Sequence, residues 1–216
     1  MKSIVCLISG RGSNLRAILQ TADAQRWDSD PGARVALVLS NRPRAPGLQL
    51  ARDAGVPFEV VDHHAYEGRD AFDAALSERI EALDPAAIVL AGFMRVLTPG
   101  FVARFRGRLI NIHPSLLPSF PGMDTHRRAL EAGVRVHGAT VHFVSEQLDG
   151  GPIIAQAAVP VLPDDTEASL AARVLQKEHI LLPRCVRWVV EGKVRLDADG
   201  VAVEGLPPAE LLLLDR

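Results

Sequence analysis

The fold is decided by the stretch IVCLISGRGSNL at residues 4–15, where a short apolar run leads into a glycine-rich turn. Ile4–Ile8 has the length and composition of a buried β-strand, and Ser13–Arg26, after the glycines, has the composition of a helix. A strand, a tight turn and a helix in this order form the first half of a strand–helix–strand unit. This unit builds a parallel sheet.

The same alternation continues along the first half of the chain. Further apolar runs predict strands at Val35–Leu39, Phe58–Val61, Ile88–Ala91 and Leu109–Ile112. Helical composition or spacing appears between them at Gly47–Ala54, Arg69–Leu83 and Pro99–Phe105. We therefore expect an α/β, Rossmann-like fold with a mostly parallel central sheet and helices on both faces.

The regular alternation of predicted strands and helices ends after Ile112. The segment from His113 to Met123 holds three prolines without a clear period, which predicts an ordered loop. The strands predicted next make the sheet partly antiparallel after residue 138, and a long helix follows them; these elements are Ala139–Phe143, Ile153–Val159 and Thr166–Val190. We expect one catalytic domain over residues 1–192, and a short hairpin or tail over 193–216 that packs on it or frays from it.

Composition narrows the classes of function. The chain has 216 residues, 48% of them hydrophobic and 23% charged, which fits one globular domain and excludes a disordered chain. Its 24 Lys and Arg nearly balance 26 Asp and Glu, so the chain as a whole has no electrostatic attraction to nucleic acid or to an anionic membrane, which leaves a local basic pocket open. Two cysteines exclude a disulfide framework and a four-cysteine zinc site. No signal peptide or membrane span is apparent, and we expect a cytoplasmic location.

The glycine-rich turn is a candidate anion site. Gly12, Ser13 and Asn14 lie where a strand passes into a helix, and free backbone N–H groups at a helix start favour a phosphate. Ser13 or Asn14 can also cap the helix. Leu15 stands where a dinucleotide-binding loop needs a glycine, so a monophosphate is the better ligand. The alternative is a tight turn without any ligand.

A polar cluster follows the fifth predicted strand. Asn111 and His113 are two residues apart, so both side chains point to one side at the carboxyl end of a parallel strand. An amide beside an imidazole can polarise a carbonyl and stabilise its oxyanion. Asp149, 36 positions later, could return to His113, although Asp-Gly is also ordinary turn chemistry. The alternative for His113 is a structural role.

No metal site is expected from the histidines. His63 and His64 are adjacent and should therefore project differently. His137 and His142 lack a cysteine or carboxylate at ligand spacing.

Five motifs together resemble the formyltransferase superfamily, and the likeness extends over about residues 2–190. They are GRGSNL (10–15), GFMRVL (92–97), NIHPSLLP (111–118), HGATVHFV (137–144) and LDGGPI (148–153). The segment FPGMDTH (120–126) is similar to the phosphoribosylglycinamide formyltransferase family of purine synthesis, which uses 10-formyltetrahydrofolate. One departure is Asp124, where many relatives have a histidine.

The resemblance implies a role for each matching residue. The catalytic group would be Asn111, His113 and Asp149. The ribonucleotide phosphate would bind to Gly12, Ser13 and Asn14, and Glu178 would contact the sugar or amine end. Asn111 would also contact the folate, which would be framed by Arg69 and by the backbone of Met94, Arg95, Val96 and Leu97, with residues 145–149 closing the pterin pocket. The implied partners are small-molecule substrates, with no metal and with a monomer or homodimer as the assembly.

Other interpretations stay open. The same site could hydrolyse formylfolate with water as the acceptor, although water needs no phosphate loop. Transfer to a nucleotide sugar or an aminoacyl-tRNA is disfavoured by chain length and by residues 120–126. A folate- or phosphate-binding module without catalysis is the third alternative. Without the resemblance, Glu178 would be a solvated helix-face charge and Arg69 a surface arginine.

Overall fold

The computed structural model describes residues 1–214. Strands and helices alternate through most of the chain, in the order β1 (Lys2–Ile8), α1 (Ser13–Ala24), β2 (Ala33–Ser40), α2 (Gly47–Asp53), β3 (Phe58–Val60), α3 (Arg69–Glu81), β4 (Ala87–Leu90), α4 (Pro99–Arg104), β5 (Leu109–His113), α5 (Thr125–Glu131), β6 (Val136–Phe143), β7 (Ile153–Pro160), α6 (Glu167–Glu191), β8 (Val194–Leu196), β9 (Val201–Val203) and β10 (Leu212–Leu214). Short 3₁₀ turns lie at His63–Ala65 and Pro208–Leu211.

One eight-stranded sheet organises the molecule, in the strand order β10-β7-β6-β5-β4-β1-β2-β3. Strands β1 to β5 are parallel to one another, whereas β6 runs antiparallel to both β5 and β7. The predicted α/β class with a mostly parallel sheet is confirmed. The reversal at β6 brings the carboxyl end of β5 beside the middle of an antiparallel strand.

Both faces of the sheet are buried, which explains the continuous apolar runs. Along β1, Ile4, Cys6 and Ile8 belong to the core that contains α1 and α6. The alternate residues Val5 and Leu7 belong to the core on the other face, with α3 and α4. Successive side chains of a strand point to opposite faces, so a buried central strand must be apolar at every position.

The second half of the chain differs from the prediction in three places. Helix α5 was not anticipated, and β6 begins at Val136, three residues before the predicted strand. Residues 193–214 form the expected hairpin, β8 with β9, and then continue to β10. β10 pairs in parallel with β7 and forms one edge of the main sheet, so this part of the tail is not frayed.

No helix among residues 1–214 combines the length and apolar character that crossing a bilayer requires. The longest of them, α6, is amphipathic. Leu170, Val174 and Leu181 lie on its buried face together with Glu178, and the other charged residues of the helix are exposed or half-buried.

Candidate active site

The end of β5 presents the two polar side chains that the sequence singled out. Asn111 and His113 occupy alternate positions of this strand and pair across the sheet with His142 and Thr140 of β6. His113 is buried, whereas Asn111 is partly accessible. The carboxyl edge of a parallel sheet is where α/β folds place their ligands, and here it carries an imidazole beside an amide.

The structure brings Asp149 back to His113. The Oδ2 atom of Asp149 lies 3.4 Å from His113 Nδ1, and both side chains are less than a tenth exposed. The other ring nitrogen, Nε2, lies 3.0 Å from the carbonyl oxygen of Phe120. Each ring nitrogen therefore faces an acceptor, so a doubly protonated imidazole can donate a hydrogen bond on both sides.

Backbone geometry places the Asp149 carboxylate. Asp149 adopts a positive φ of 51°, and its Oδ2 atom accepts a 2.8 Å hydrogen bond from the N–H of Gly122. Two residues later the chain passes so close to β6 that a Cβ on Gly151 would lie 1.8 Å from the carbonyl oxygen of Phe143. The glycine is therefore required for the close approach that aims Asp149 at His113.

Asn111 is oriented by a histidine whose role sequence reasoning missed. The Nδ1 atom of His142 lies 2.9 Å from the carbonyl oxygen of Phe143, which makes Nδ1 the protonated nitrogen. His142 Nε2 then accepts from the Asn111 Nδ2 group at 3.2 Å. Burial lowers the pKa of His142 below its ordinary value, which favours this neutral form. The second N–H of the Asn111 amide remains available for a substrate oxygen.

Buried hydrogen bonds hold the predicted loop between His113 and Met123 in place. Thr140 Oγ1 donates to the carbonyl oxygen of Ser115 at 2.7 Å and accepts from the N–H of Leu117 at 3.0 Å. Gln156 Nε2 donates to the Leu117 carbonyl at 2.9 Å. Because β6 and β7 supply these partners, the loop that carries the Phe120 carbonyl is ordered by the antiparallel half of the sheet.

The predicted phosphate loop has the expected turn but a different cap. Gly12 is the N-cap of α1, with a φ of 73°, so Ser13 and Asn14 are the first residues inside the helix and do not cap it. A Cβ on Gly12 would lie 2.8 Å from the Cα of Gly47, so this loop packs tightly against the start of α2. The first N–H groups of α1 are the orphan donors that an anion can satisfy.

Glu178 of α6 lies against this loop. Its Oε2 atom accepts a 2.7 Å hydrogen bond from Asn14 Nδ2, and both side chains are buried. Burial raises the pKa of Glu178, while the bond from Asn14 acts in the opposite direction. Within the described part of the chain, Asn14 Oδ1 is buried without a hydrogen-bond partner. The pair is thus a buried polar group next to the anion site and not a solvated surface charge.

A cavity of about 120 Å³ lies beside the polar cluster. Its walls include Asn111, His142 and the segments 95–97 and 144–149. The structure therefore brings together most of the residues expected to frame a folate, and Asp149 belongs to the same wall.

Two of the expected folate residues are not in the wall of this cavity as the described residues define it. Met94 points an exposed side chain outward, and only its backbone N–H is fixed, by Ser9 Oγ at 2.7 Å. Arg69 is the exposed first residue of α3. Asp124, which replaces an expected histidine, is the N-cap of α5 and forms an ion pair with Arg127.

The prediction about His63 and His64 is wrong in one respect. Their ring centroids lie 4.0 Å apart, so the imidazoles do not project apart. With Asp62 they bring three possible ligand atoms within 4.8 Å of one another. These residues belong to the 3₁₀ turn before α3 and do not line the cavity.

Comparison with known proteins gives a consistent result. The family model described as "Formyl transferase" matches residues 2–186. The chain is 46% identical over 208 residues to the phosphoribosylglycinamide formyltransferase of Escherichia coli strain K12, covering 95% of this chain and 96% of that protein. It is 50% identical over 193 residues to the trifunctional purine biosynthetic protein adenosine-3 of Drosophila melanogaster, of which it spans 14%.

A solved structure shows the same fold. The phosphoribosylglycinamide formyltransferase of Coxiella burnetii superposes with a TM-score of 0.89 at 40% identity. The match covers 100% of this chain and 99% of that one. The similarity therefore includes the elements that carry the polar cluster, the glycine-rich loop and the carboxyl-terminal helix.

Proposed function

The chain belongs to the formyl transferase family, and on that premise we propose that it transfers a formyl group from 10-formyltetrahydrofolate to the primary amine of 5'-phosphoribosylglycinamide, a step of purine biosynthesis. The full-length relatives that bear this name support the assignment. The folate is a consumed co-substrate in this proposal, and no step is assigned to a metal ion.

The placement of two sites on one edge of the sheet is the observation that carries the proposal. The phosphate loop follows β1, the acid–base cluster lies at the end of β5, and β4 is the strand between them. Neighbouring strands are about 4.8 Å apart, so the two sites are separated by roughly 10 Å along this edge. A ribonucleotide with its phosphate on Gly12 to Asn14 can therefore direct an amine toward His113.

The reaction proceeds by direct attack in this proposal. The amine lone pair forms a bond to the formyl carbon, and the carbonyl electron pair moves onto oxygen. The free N–H of Asn111 stabilises this oxyanion by a hydrogen bond and a protonated His113 stabilises it by its positive charge, while Asp149 stabilises the imidazolium. Collapse of the intermediate breaks the bond between the carbon and N10 of the folate. The proton lost by the attacking amine is delivered to N10 through Asp149 and water.

Binding contacts complete the proposal. Ser13 and Asn14 hold the phosphate, with the backbone of Gly12, and the buried Glu178 accepts a hydrogen bond from the sugar or amine end. The pterin occupies the cavity framed by residues 95–97 and 145–149. Exposed Arg69 and Met94 contact the part of the folate that extends beyond the cavity. We assign these roles to a cytoplasmic enzyme whose catalytic domain spans residues 1–192.

An absorbance assay of deformylation tests the proposal. The protein is mixed with 10-formyltetrahydrofolate, with and without glycinamide ribonucleotide. The expected result is that 10-formyltetrahydrofolate loses its formyl group only in the presence of the ribonucleotide. Loss of the formyl group in both mixtures would instead identify a hydrolase. Binding of both ligands without any turnover would identify a module without catalysis.

Replacement of Asn111 tests the oxyanion role. Asn111→Ala removes the amide donor but leaves the β5 backbone intact, so we expect turnover to fall by roughly 10²–10³-fold with unchanged folding. The measurement is kcat at saturating concentrations of both substrates, with circular dichroism to verify the fold. A near-normal rate in the folded variant would remove Asn111 from the mechanism.

A further inference from the structure

Ser9 connects the phosphate loop after β1 with the segment from Met94 to Leu97, here called the folate segment, through its buried hydroxyl. It lies between the end of β1 and Gly10, and it is 2% exposed. Its Oγ atom accepts a 2.7 Å hydrogen bond from the backbone N–H of Met94, and its own N–H donates to the Gly92 carbonyl at 3.1 Å. The residue that starts the phosphate loop thus also holds the start of the folate segment.

The folate segment from Met94 to Leu97 is fixed at both ends by buried side chains. Ser9 holds the N–H of Met94, and the Asp73 carboxylate accepts from the N–H of Thr98 at 2.7 Å. Between these two anchors, Arg95, Val96 and Leu97 line the cavity. Movement at either anchor therefore changes the shape of the cavity wall.

A second buried residue fixes the direction of the Ser9 hydroxyl. Ser9 Oγ donates to Asn41 Oδ1 at 2.6 Å, and Asn41, which follows β2, is 1% exposed. The carbonyl oxygen of Asn41 lies 2.9 Å from His63 Nδ1. Because the hydroxyl proton is directed at Asn41, an oxygen lone pair is left for the N–H of Met94.

The phosphate loop itself is also held on its far side. The N–H of Gly47, the first residue of α2, donates to the Gly10 carbonyl at 3.0 Å. The loop between Ser9 and Gly12 is therefore held on both sides, so a phosphate bound at its end would act on Ser9 through a short, constrained stretch of backbone. Hydrogen-bond networks and packed backbone segments of this kind can carry energetic coupling between two sites.

We propose that Ser9 is a positioning residue that couples the two substrates: occupation of the phosphate loop by the ribonucleotide stabilises the Ser9–Met94 bond and thereby the folate-binding wall. The inference rests on the proposed function and extends it, because it makes binding of the two substrates mutually favourable. By linkage, each ligand raises the affinity for the other by the same factor.

Equilibrium binding tests the coupling without any chemistry. Tetrahydrofolate, which carries no formyl group, is titrated calorimetrically into the protein with and without saturating glycinamide ribonucleotide. We expect the wild-type protein to bind tetrahydrofolate about five- to tenfold more tightly when the ribonucleotide is present. In Ser9→Ala this factor falls to within twofold of one, and the folate KM rises about tenfold while kcat changes less than threefold.

Two further variants keep the test interpretable. Ser77→Ala removes another buried serine hydroxyl, on α3, and is expected to keep both the coupling and the folate KM. If Ser9→Ala does not fold, Asn41→Ala takes its place, since it removes the acceptor that orients the Ser9 hydroxyl. This variant is expected to weaken the coupling in part.

The outcomes separate the inference from the proposed function. Equal tetrahydrofolate affinity with and without ribonucleotide in the wild-type protein overturns the inference, even if formyl transfer occurs. Unchanged coupling in folded Ser9→Ala overturns it as well, as does a loss confined to kcat. Coupled binding that Ser9→Ala abolishes supports the inference even in a protein that shows no turnover.

Discussion

Replacement of Asp149 by asparagine separates the charge of this residue from its geometry. A single atom, Oδ2, faces both His113 Nδ1 at 3.4 Å and the Gly122 N–H at 2.8 Å. An asparagine that places its carbonyl oxygen at this position keeps the acceptor for both partners. Asp149→Asn therefore preserves the turn and removes only the negative charge beside the imidazole.

The structure sets the size of the effect. Opposite unit charges 3.4 Å apart at an effective dielectric constant of about 20 attract by about 5 kcal/mol. The amide dipole that remains and partial screening by water reduce the loss to about 3–4 kcal/mol. Because about 1.4 kcal/mol corresponds to a factor of ten, turnover is expected to fall by roughly 10²–10³-fold.

The assay is the single-turnover rate of formyl transfer with both substrates saturating. Asp84→Asn is the matched control, because Asp84 also has a positive φ and pairs with a basic side chain, that of Arg108, but does not line the site. The control should retain the wild-type rate. A folded Asp149→Asn protein within threefold of the wild-type rate, or one whose loss lies wholly in the folate KM, would refute the electrostatic role.

Three further predictions concern stability. The pKa of Glu178 is raised by burial, so wild-type stability falls as pH rises through that pKa. Glu178→Gln should lose this dependence, so that in urea titrations its stability relative to the wild type is greater at pH 7 than at pH 4, while its ribonucleotide KM rises. Burial lowers the pKa of His137 from 6.5 to about 4, so stability falls as pH decreases from 6.5 toward 4; an equal decrease in His137→Gln would contradict this cause. Gly151→Ala should lower the unfolding free energy by about 3 kcal/mol or more through its clash with Phe143, whereas Gly100→Ala, with open space around its Cβ, should cost little; similar melting temperatures would exclude the clash.

The parts of the site that follow from local pattern could be predicted from the sequence. Two-residue alternation put Asn111 and His113 on one side of β5, and the strand–helix rhythm put them at the ligand edge of the sheet. The sequence alone leaves the approach of Asp149 to His113 open, because Asp-Gly is also ordinary turn chemistry. It depends on a positive φ and on the close passage of Gly151 along β6, which no spacing reveals.

The missed features depend on long-range register. His142 orients Asn111 because the two are directly opposite across an antiparallel pair, and the register of that pair is set by tertiary packing. β10 was missed because Leu212–Leu214 is too short to show a period and is held by pairing with β7. The expected capping by Ser13 or Asn14 failed because Gly12 takes the left-handed N-cap position and leaves both inside the helix.

Isotopic labelling tests the central claim, direct transfer of an intact formyl group, most directly. The folate is prepared with ¹³C and ¹⁸O in its formyl group, and the formylated ribonucleotide is analysed by mass spectrometry. Direct attack keeps the carbonyl oxygen on the carbon through the tetrahedral intermediate, so the product should carry both labels. Release of labelled formate that contains one solvent oxygen, with no labelled ribonucleotide, would contradict the account.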